Sequence, residues 1–377
     1  MKIGNSEEIS KKASYRICSR CVMDNSSDNT IIFDGNGVCN YCTEALKDKE
    51  FIYFPNKEGK AKLDSLINRL KSENRGNKYD CIMGISGGLD SSYLAYLGFK
   101  WGLRILAVHI DDGFDTEISK RNIARLIEAA KLDCLVEKPD GQQFNDLTKA
   151  YLLAGVPNIA IPQDNILFAC IYRLIRQYRM KYFLSGGNFA LECILQKGNT
   201  YRAFDVSNIK AIHKLYGKEP INRLPLLSDY RRFIDMKLFK IRTERPLNLI
   251  DYNKENALKE LSQFCGFEYY GRKHLENTLT KFIQVYWIYH KFGVDKRRSH
   301  LSSMIVSGQM TREEALAELQ EPIYEEIEMK RDIEVVCQAL NISKEDFDKV
   351  MKGPSRQHTD FKTDKYQLFK PLAKMFV

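Results

Sequence analysis

Between residues 79 and 184 the chain alternates four short apolar runs with four helical patterns, and a glycine-rich turn joins the first run to the first helix. The runs at 79–85, 103–110, 134–136 and 181–184 read as strands. The stretches 92–101, 117–131, 142–153 and 163–179 read as the helices between them. Such alternation folds as an α/β, doubly wound parallel sheet with right-handed crossovers, whose ligands lie outside the carboxyl ends of the strands. Three turns reach that rim. They are Ser86-Gly87-Gly88-Leu89-Asp90-Ser91 after the first run, Asp111-Asp112-Gly113 after the second and Ser185-Gly186-Gly187-Asn188 after the fourth.

The first turn has the composition of a pyrophosphate cradle. Gly87 and Gly88 let the backbone approach a ligand closely, and the helix that follows presents free N–H groups and a partial positive charge. Ser86, Ser91 and Ser92 add hydroxyl donors. Asp90 would repel phosphate unless a divalent cation lay between them, so the turn reads as a nucleotide–Mg²⁺ site. The Walker pattern Gly-x-x-x-x-Gly-Lys-Ser/Thr occurs nowhere in the chain.

Ten cysteines need an explanation in a chain with no apolar run of bilayer length and a polar start, for which the cytoplasm is the expected location. Cys18-x-x-Cys21 and Cys39-x-x-Cys42 supply it for four of them. Two such turns close a Cys₄ shell around one tetrahedral ion, which predicts a zinc-ribbon-like module with structural zinc; iron–sulfur or redox use is the alternative. Residues 30–33 read as a strand of that module and 34–37 as its hairpin turn. The other six cysteines fall within apolar patterns, as buried fillers do. A net charge of +9 favours polyanionic ligands without choosing among them.

The expected organisation is a tail over 1–14, the Cys₄ zinc module over 15–55, the nucleotide domain over 56–240 and a helical C-terminal region over 241–377. Within the last, helices are predicted over 253–264, 275–292, 311–319 and 322–340. Thr311-x-x-Glu314 reads as a capping box, Pro322 as a first helical residue, and Ser343 as the cap of 344–351. Residues 352–377 read as a partly ordered tail. Asp295-Lys296-Arg297-Arg298-Ser299-His300 is the densest polar cluster of this region, either a diphosphate site or a solvated loop. Arg242 and Arg245 offer the same choice, and His300 reads either as a general base or as a structural histidine.

The string Ser86–Ser91 resembles the signature of the PP-loop ATP pyrophosphatases. That resemblance implies that the turn holds the β- and γ-phosphates of ATP as leaving group and that attack falls on the α-phosphorus. It also implies that Asp90 and Glu192 share Mg²⁺, that Asp111 and Asp112 border adenine and ribose, and that Gly186 and Gly187 complete the ATP site. From the residues alone, Glu192 is equally a solvated helix residue, Ser185–Asn188 an ordinary turn, and Asp111 and Asp112 a helix cap.

In order along the chain stand Ile17-Cys18-Ser19-Arg20-Cys21-Val22-Met23-Asp24, the segment 33–42, the loop 86–91 and the run 291–302. Together they resemble the N-acetyl sugar amidotransferases of bacterial surface-polysaccharide synthesis, the PseA/WbpG group. The resemblance implies an ATP-dependent, AMP- and pyrophosphate-forming conversion of an acetamido group on a nucleotide-linked sugar into an acetamidino group. Asp90, Ser91, Arg297 and Arg298 are then the expected catalytic residues, and Lys296, Arg297, Arg298 and His300 the expected substrate contacts. Ammonia is expected from separate glutaminase and cyclase-like subunits, since residue 2 is Lys2 and no Gly-x-Cys-x-Gly elbow occurs. Neither membrane nor nucleic acid is an expected partner. The rival reading is a PP-loop tRNA thiolase, for which Cys170 and Cys193 would have to approach the loop.

Overall fold

The computed structural model describes residues 14–366. The expected N-terminal tail lies outside the described residues except for Ser14, as do residues 367–377 of the expected C-terminal tail. The described part of that tail is packed, with His358 buried and Ser355 Oγ donating to the Lys291 carbonyl at 3.0 Å.

The Cys₄ module leads into α1 (Asn40–Ile52) and α2 (Lys57–Glu73), which is capped by Asn56. The α/β domain follows as β1 (Cys81–Gly84), α3 (Leu89–Lys100), β2 (Ile105–Ile110), α4 (Glu117–Ala130), β3 (Asp133–Glu137), α5 (Gly141–Ala154), α6 (Ile161–Gln177) and β4 (Tyr182–Leu184). Then come α7 (Phe189–Glu192), α8 (Val206–Tyr216), α9 (Asp229–Leu238) and β5 (Arg242–Glu244). All pairings are parallel, in the order β3-β2-β1-β4-β5. Helices cover both faces, which is why Cys81, Ile82 and Met83 in the central strand are fully buried and why that strand reads as a continuous apolar run. The strand order reverses at β1, so the turns after β1 and β4 face each other across the switch point.

β5 corrects the expectation that strands end before residue 240. Its residues Arg242, Thr243 and Glu244 are polar because it is an edge strand, and Arg69 of α2 covers it through a 2.7 Å ion pair with Glu244. Beyond it lie α10 (Lys254–Cys265), α11 (Thr278–Lys281), a π-helical segment Phe282–Trp287 that runs on into α12 (Ile288–Phe292), α13 (Arg297–Ser307), α14 (Arg312–Glu318), α15 (Glu326–Ala339) and α16 (Lys344–Lys352). The Thr311–Glu314 capping box forms, and Ser343 caps α16.

Three local expectations change. The helix predicted from 275 starts at Thr278, because Asn277 supplies the cap to Thr280 N. Pro322 precedes α15 without opening it; Glu325 caps that helix through Ile327 N and Glu328 N. Residues 30–33 make no strand, only a bridge from Phe33 to Cys39, because Asp28 draws Thr30 N and Oγ1 into a side-chain turn.

One core cluster runs from the Cys₄ module through α2, α3 and the sheet to α10 and α13. Another joins α5 and α8 to the π-helical segment and α15. No helix among the described residues is long and apolar enough to cross a membrane.

Candidate functional site

Gly87 has φ +73°, and a Cβ there would lie 2.5 Å from Ser119 Oγ and 2.6 Å from the Ser119 carbonyl oxygen. α4 therefore packs directly behind the turn. Ser119 Oγ donates to the Ser86 carbonyl at 2.8 Å, and Asn122 Nδ2 to the Gly87 carbonyl at 3.3 Å. Ser91 Oγ donates to the Gly88 carbonyl and stands 3.3 Å from Ser86 Oγ, while Ser92 Oγ is buried without a partner. Gly87→Ala forces a left-handed conformation on alanine and drives its methyl into backbone. ATP affinity measured by titration calorimetry is expected to fall at least about tenfold, a loss of about 1.4 kcal/mol. Unchanged affinity would show that the nucleotide is held elsewhere.

Asp90, on the first turn of α3, accepts from Tyr252 Oη and from Lys273 Nζ at 2.6 Å. Glu192, at the end of α7, meets the same ammonium at 2.8 Å. Two carboxylates from opposite sides of the switch point thus converge on one cationic position. Burial opposes ionisation of Asp90, but the Lys273 charge and the Tyr252 hydroxyl outweigh it and hold the carboxyl below its usual range. Burial likewise opposes the charge on Lys273, and Asp90 with Glu192 outweighs it, so its pKa is raised. Gly186 permits the approach of the second turn, since a Cβ there would lie 3.1 Å from the Asp90 carbonyl carbon and the Ser91 nitrogen. Gly187 lies beside Glu192, and its N–H donates to Ser185 Oγ. Paired hard oxygens beside a phosphate cradle suit a divalent cation, and one bound between them would displace the Lys273 ammonium.

Lys273 belongs to a strap, residues 268–277, drawn over the first turn. Leu89 N–H donates to Tyr270 Oη at 2.9 Å, and Ser86 Oγ donates to Glu276 at 3.5 Å. Thr116 N–H donates to the Glu276 carbonyl, and Thr278 N–H to the Phe114 carbonyl, so the far end is stitched to the turn before α4. His274 sits in the strap at φ +64°. Sequence reasoning missed Tyr252, Tyr270, Lys273 and Glu276. The basic triplet Arg272-Lys273-His274 after Gly271 was the available signal.

A cavity of about 480 Å³ opens beside Ile85 and Ser86, between the strand ends and the strap. Asp112 lines it and accepts from Phe114 N–H, Asn277 Nδ2 and Gln163 Nε2; burial raises its pKa. Asp164, which burial raises to about 6, also lines it. Asp111 turns outward to Lys138 at 2.7 Å and does not line the cavity.

The basic cluster divides. Lys296 lines the first cavity and a second one of about 350 Å³ beside it; Arg297 and His300 line the second. Arg297 is clamped by Asp295 at 2.8 Å and by the carbonyls of Glu318, Leu319 and Glu321. Arg298 reaches neither cavity. It pairs with Asp24 at 3.0 Å and donates to the Val22 carbonyl, fastening α13 to the Cys₄ module. His300 Nδ1 lies 3.1 Å from the Leu191 carbonyl, and burial with the nearby Lys273 charge lowers its pKa to about 4, so the ring is neutral near pH 7. Cys170 and Cys193 line neither cavity, and burial raises both thiols, Cys193 to about 11.

The sulfurs of Cys18, Cys21, Cys39 and Cys42 lie within 4.8 Å of one another, all buried. Cys18 to Cys42 is 4.0 Å and Cys21 to Cys39 is 3.8 Å. A tetrahedron with metal–sulfur bonds of about 2.3 Å has edges of about 3.8 Å, so the four fit one ion with no open position. Backbone N–H groups of Cys21, Met23, Cys39 and Cys42 point at the sulfurs at 3.3–3.4 Å and stabilise thiolate charge.

A parallel sheet of this order, with Ser-Gly-Gly-Leu-Asp-Ser after its central strand, resembles the nucleotide domain of the PP-loop ATP pyrophosphatases. Residues 276–373 match one family model, that of the LPS biosynthesis protein WbpG-like, C-terminal domain. The strap therefore ends where that domain begins. An uncharacterized protein of Methanocaldococcus jannaschii is 23% identical over 317 residues, covering 82% of this chain and 97% of its own. Among solved structures, an NH3-dependent NAD synthetase from Campylobacter jejuni is similar at TM-score 0.30 and 13% identity, over 42% of this chain and 72% of that one. A U34-tRNA thiolase from Methanococcus maripaludis with its [4Fe-4S] cluster is similar at TM-score 0.32 and 14% identity, over 80% and 88%.

Proposed function

We propose that this chain is an ATP-dependent amidotransferase of bacterial surface-polysaccharide synthesis, acting in the cytoplasm on the acetamido group of a nucleotide-linked sugar. The observation that carries the reading is the phosphate cradle with Asp90 and Glu192 converging at its rim, in a chain that ends in a WbpG-like domain. The acetamido oxygen attacks the α-phosphorus; the new P–O bond forms as the bond to the β-phosphate oxygen breaks, and pyrophosphate leaves. Loss of the amide proton gives the O-adenylyl imidate. Ammonia then adds to the imidate carbon, AMP departs with the C–O bonding electrons, and an acetamidine remains.

The protein's share is alignment and charge neutralisation. Main-chain N–H groups and the serine hydroxyls of the loop hold the leaving phosphates, and Lys273 adds a positive charge beside them. Magnesium bound by Asp90 and Glu192 would supply further neutralisation. The four thiolates hold structural zinc in this reading. Ammonia comes from separate glutaminase and cyclase-like subunits, in keeping with the lack of a Gly-x-Cys-x-Gly elbow in the chain.

Incubation with ATP, ammonium and a panel of UDP- and CMP-linked acetamido sugars tests the reaction. The expected products are AMP, pyrophosphate and a sugar whose mass shows oxygen replaced by an imino group. ADP as the spent nucleotide would overturn the reading.

A further inference from the structure

The second cavity has no assigned occupant, and its lining selects one by charge. Five cations border it: Lys254, Arg272, Lys273, Lys296 and Arg297. Lys273 is matched by Asp90 and Glu192, and Arg297 by Asp295. Among the described residues Lys254, Arg272 and Lys296 form no ion pair, and the lining offers them one carboxylate without an ion-pair partner there, Glu318. Arg272 spends two hydrogen bonds on the carbonyls of Pro322 and Ile323, Lys254 rests over the Tyr269 ring, and Lys296 makes no hydrogen bond among the described residues. All three are half-buried, and although Asp28 lies near Lys296 and Glu318 near Lys254, neither is close enough to form an ion pair, so the cavity keeps an excess of positive charge for an arriving anion.

The two cavities adjoin and share part of their lining. Successive residues of the π-helical segment divide them: Ile283 lines the first, Gln284 lines both and Val285 lines the second. A π-helical turn is rare and recurs at functional sites, because the extra residue re-aims neighbouring side chains. His274 of the strap and Lys296 also line both cavities. The volume, about 350 Å³, is in the range of small-molecule sites.

We propose that the second cavity is the acceptor site and that it takes a substrate bearing a diphosphate or phosphate diester, held on Lys254, Arg272 and Lys296. The reacting end then meets ATP at the junction of His274, Gln284 and Lys296. This rests on the reading of the chain as an adenylating enzyme and adds to it the cavity and the cations that hold the acceptor. It also excludes the neutral free sugar as the bound form.

The test is calorimetric, with the full chain saturated by α,β-methylene-ATP, which fills the first cavity and cannot release pyrophosphate. UDP, UDP-N-acetylglucosamine, a CMP-linked acetamido sugar and free N-acetylglucosamine are the probes. At least one nucleotide-bearing probe is expected to bind at least about tenfold more tightly than the free sugar. Lys254→Gln with Arg272→Gln is expected to weaken it at least about tenfold while leaving the ATP analogue within about twofold. Should that pair fail to fold, Lys296→Met and the salt dependence of the wild-type protein carry the test, with affinity falling as salt rises. Binding indifferent to these changes, equal binding of the free sugar, or no binding by any probe overturns the proposal. A protein that binds a nucleotide sugar this way but forms no AMP upholds the site and overturns the adenylation reading.

Discussion

Asp90→Asn is expected to lower AMP formation on the order of a thousandfold while the protein stays folded. Asparagine keeps the shape of the side chain and can still accept from Tyr252 Oη, but it removes one of the two negative charges that meet at Lys273. The remaining carboxylate, Glu192, keeps the buried ammonium from standing alone. The stability cost therefore stays below the roughly 3–5 kcal/mol of a fully broken buried pair. Magnesium should also lose its effect on nucleotide affinity, a readout that needs no turnover. Tyr252→Phe removes a hydrogen bond to the same carboxylate without touching charge, and its effect should be about tenfold at most. A turnover of the Asp90→Asn protein close to wild type would remove Asp90 from the site.

Cys39→Ser is expected to cost the metal and most of the protein's stability, and to spare nucleotide binding in whatever folded fraction survives. All four sulfurs are buried and face one another, so replacing one thiolate by a hydroxyl leaves a four-coordinate ion with three good ligands. Metal binding in such sites is worth on the order of 10 kcal/mol, comparable to the whole stability of a domain. The module is also the surface against which α13 and α14 rest: Arg312 donates to the carbonyls of Cys18 and Cys21, and Val22 N–H donates to Ser302 Oγ. Zinc content by elemental analysis and the thermal midpoint measure the effect. A soluble, metal-free, thermally unchanged variant would contradict a structural role.

Features encoded within a few residues were legible in the sequence. The turn 86–91, the first four strands, the paired Cys-x-x-Cys knuckles and the Thr311 capping box each carry their signal locally. What sequence reasoning missed is carried by partners far apart. Tyr252 and Lys273 meet Asp90 across 162 and 183 residues, and the basic triplet around Lys273, though visible, does not say which carboxylate it will meet. β5 escaped because a polar edge strand of three residues has no periodicity to show. The basic run drew attention for its charge, yet charge alone does not say what it faces. Asp295 and Asp24 take up Arg297 and Arg298, while Lys296 lines both cavities and forms no ion pair among the described residues.

The hydrogen bonds by which Arg298, Ser302 and Arg312 hold the Cys₄ module join residues 276 to 294 positions apart. A ribosome releases the cysteine knuckles first and the helices that seat them only near the end of synthesis. Closing so long a loop is slow, and an unseated knuckle exposes apolar surface while it waits. Early zinc loading would shield the nascent chain through that interval, so zinc starvation during expression should reduce yield more than chelation of the finished protein reduces its activity.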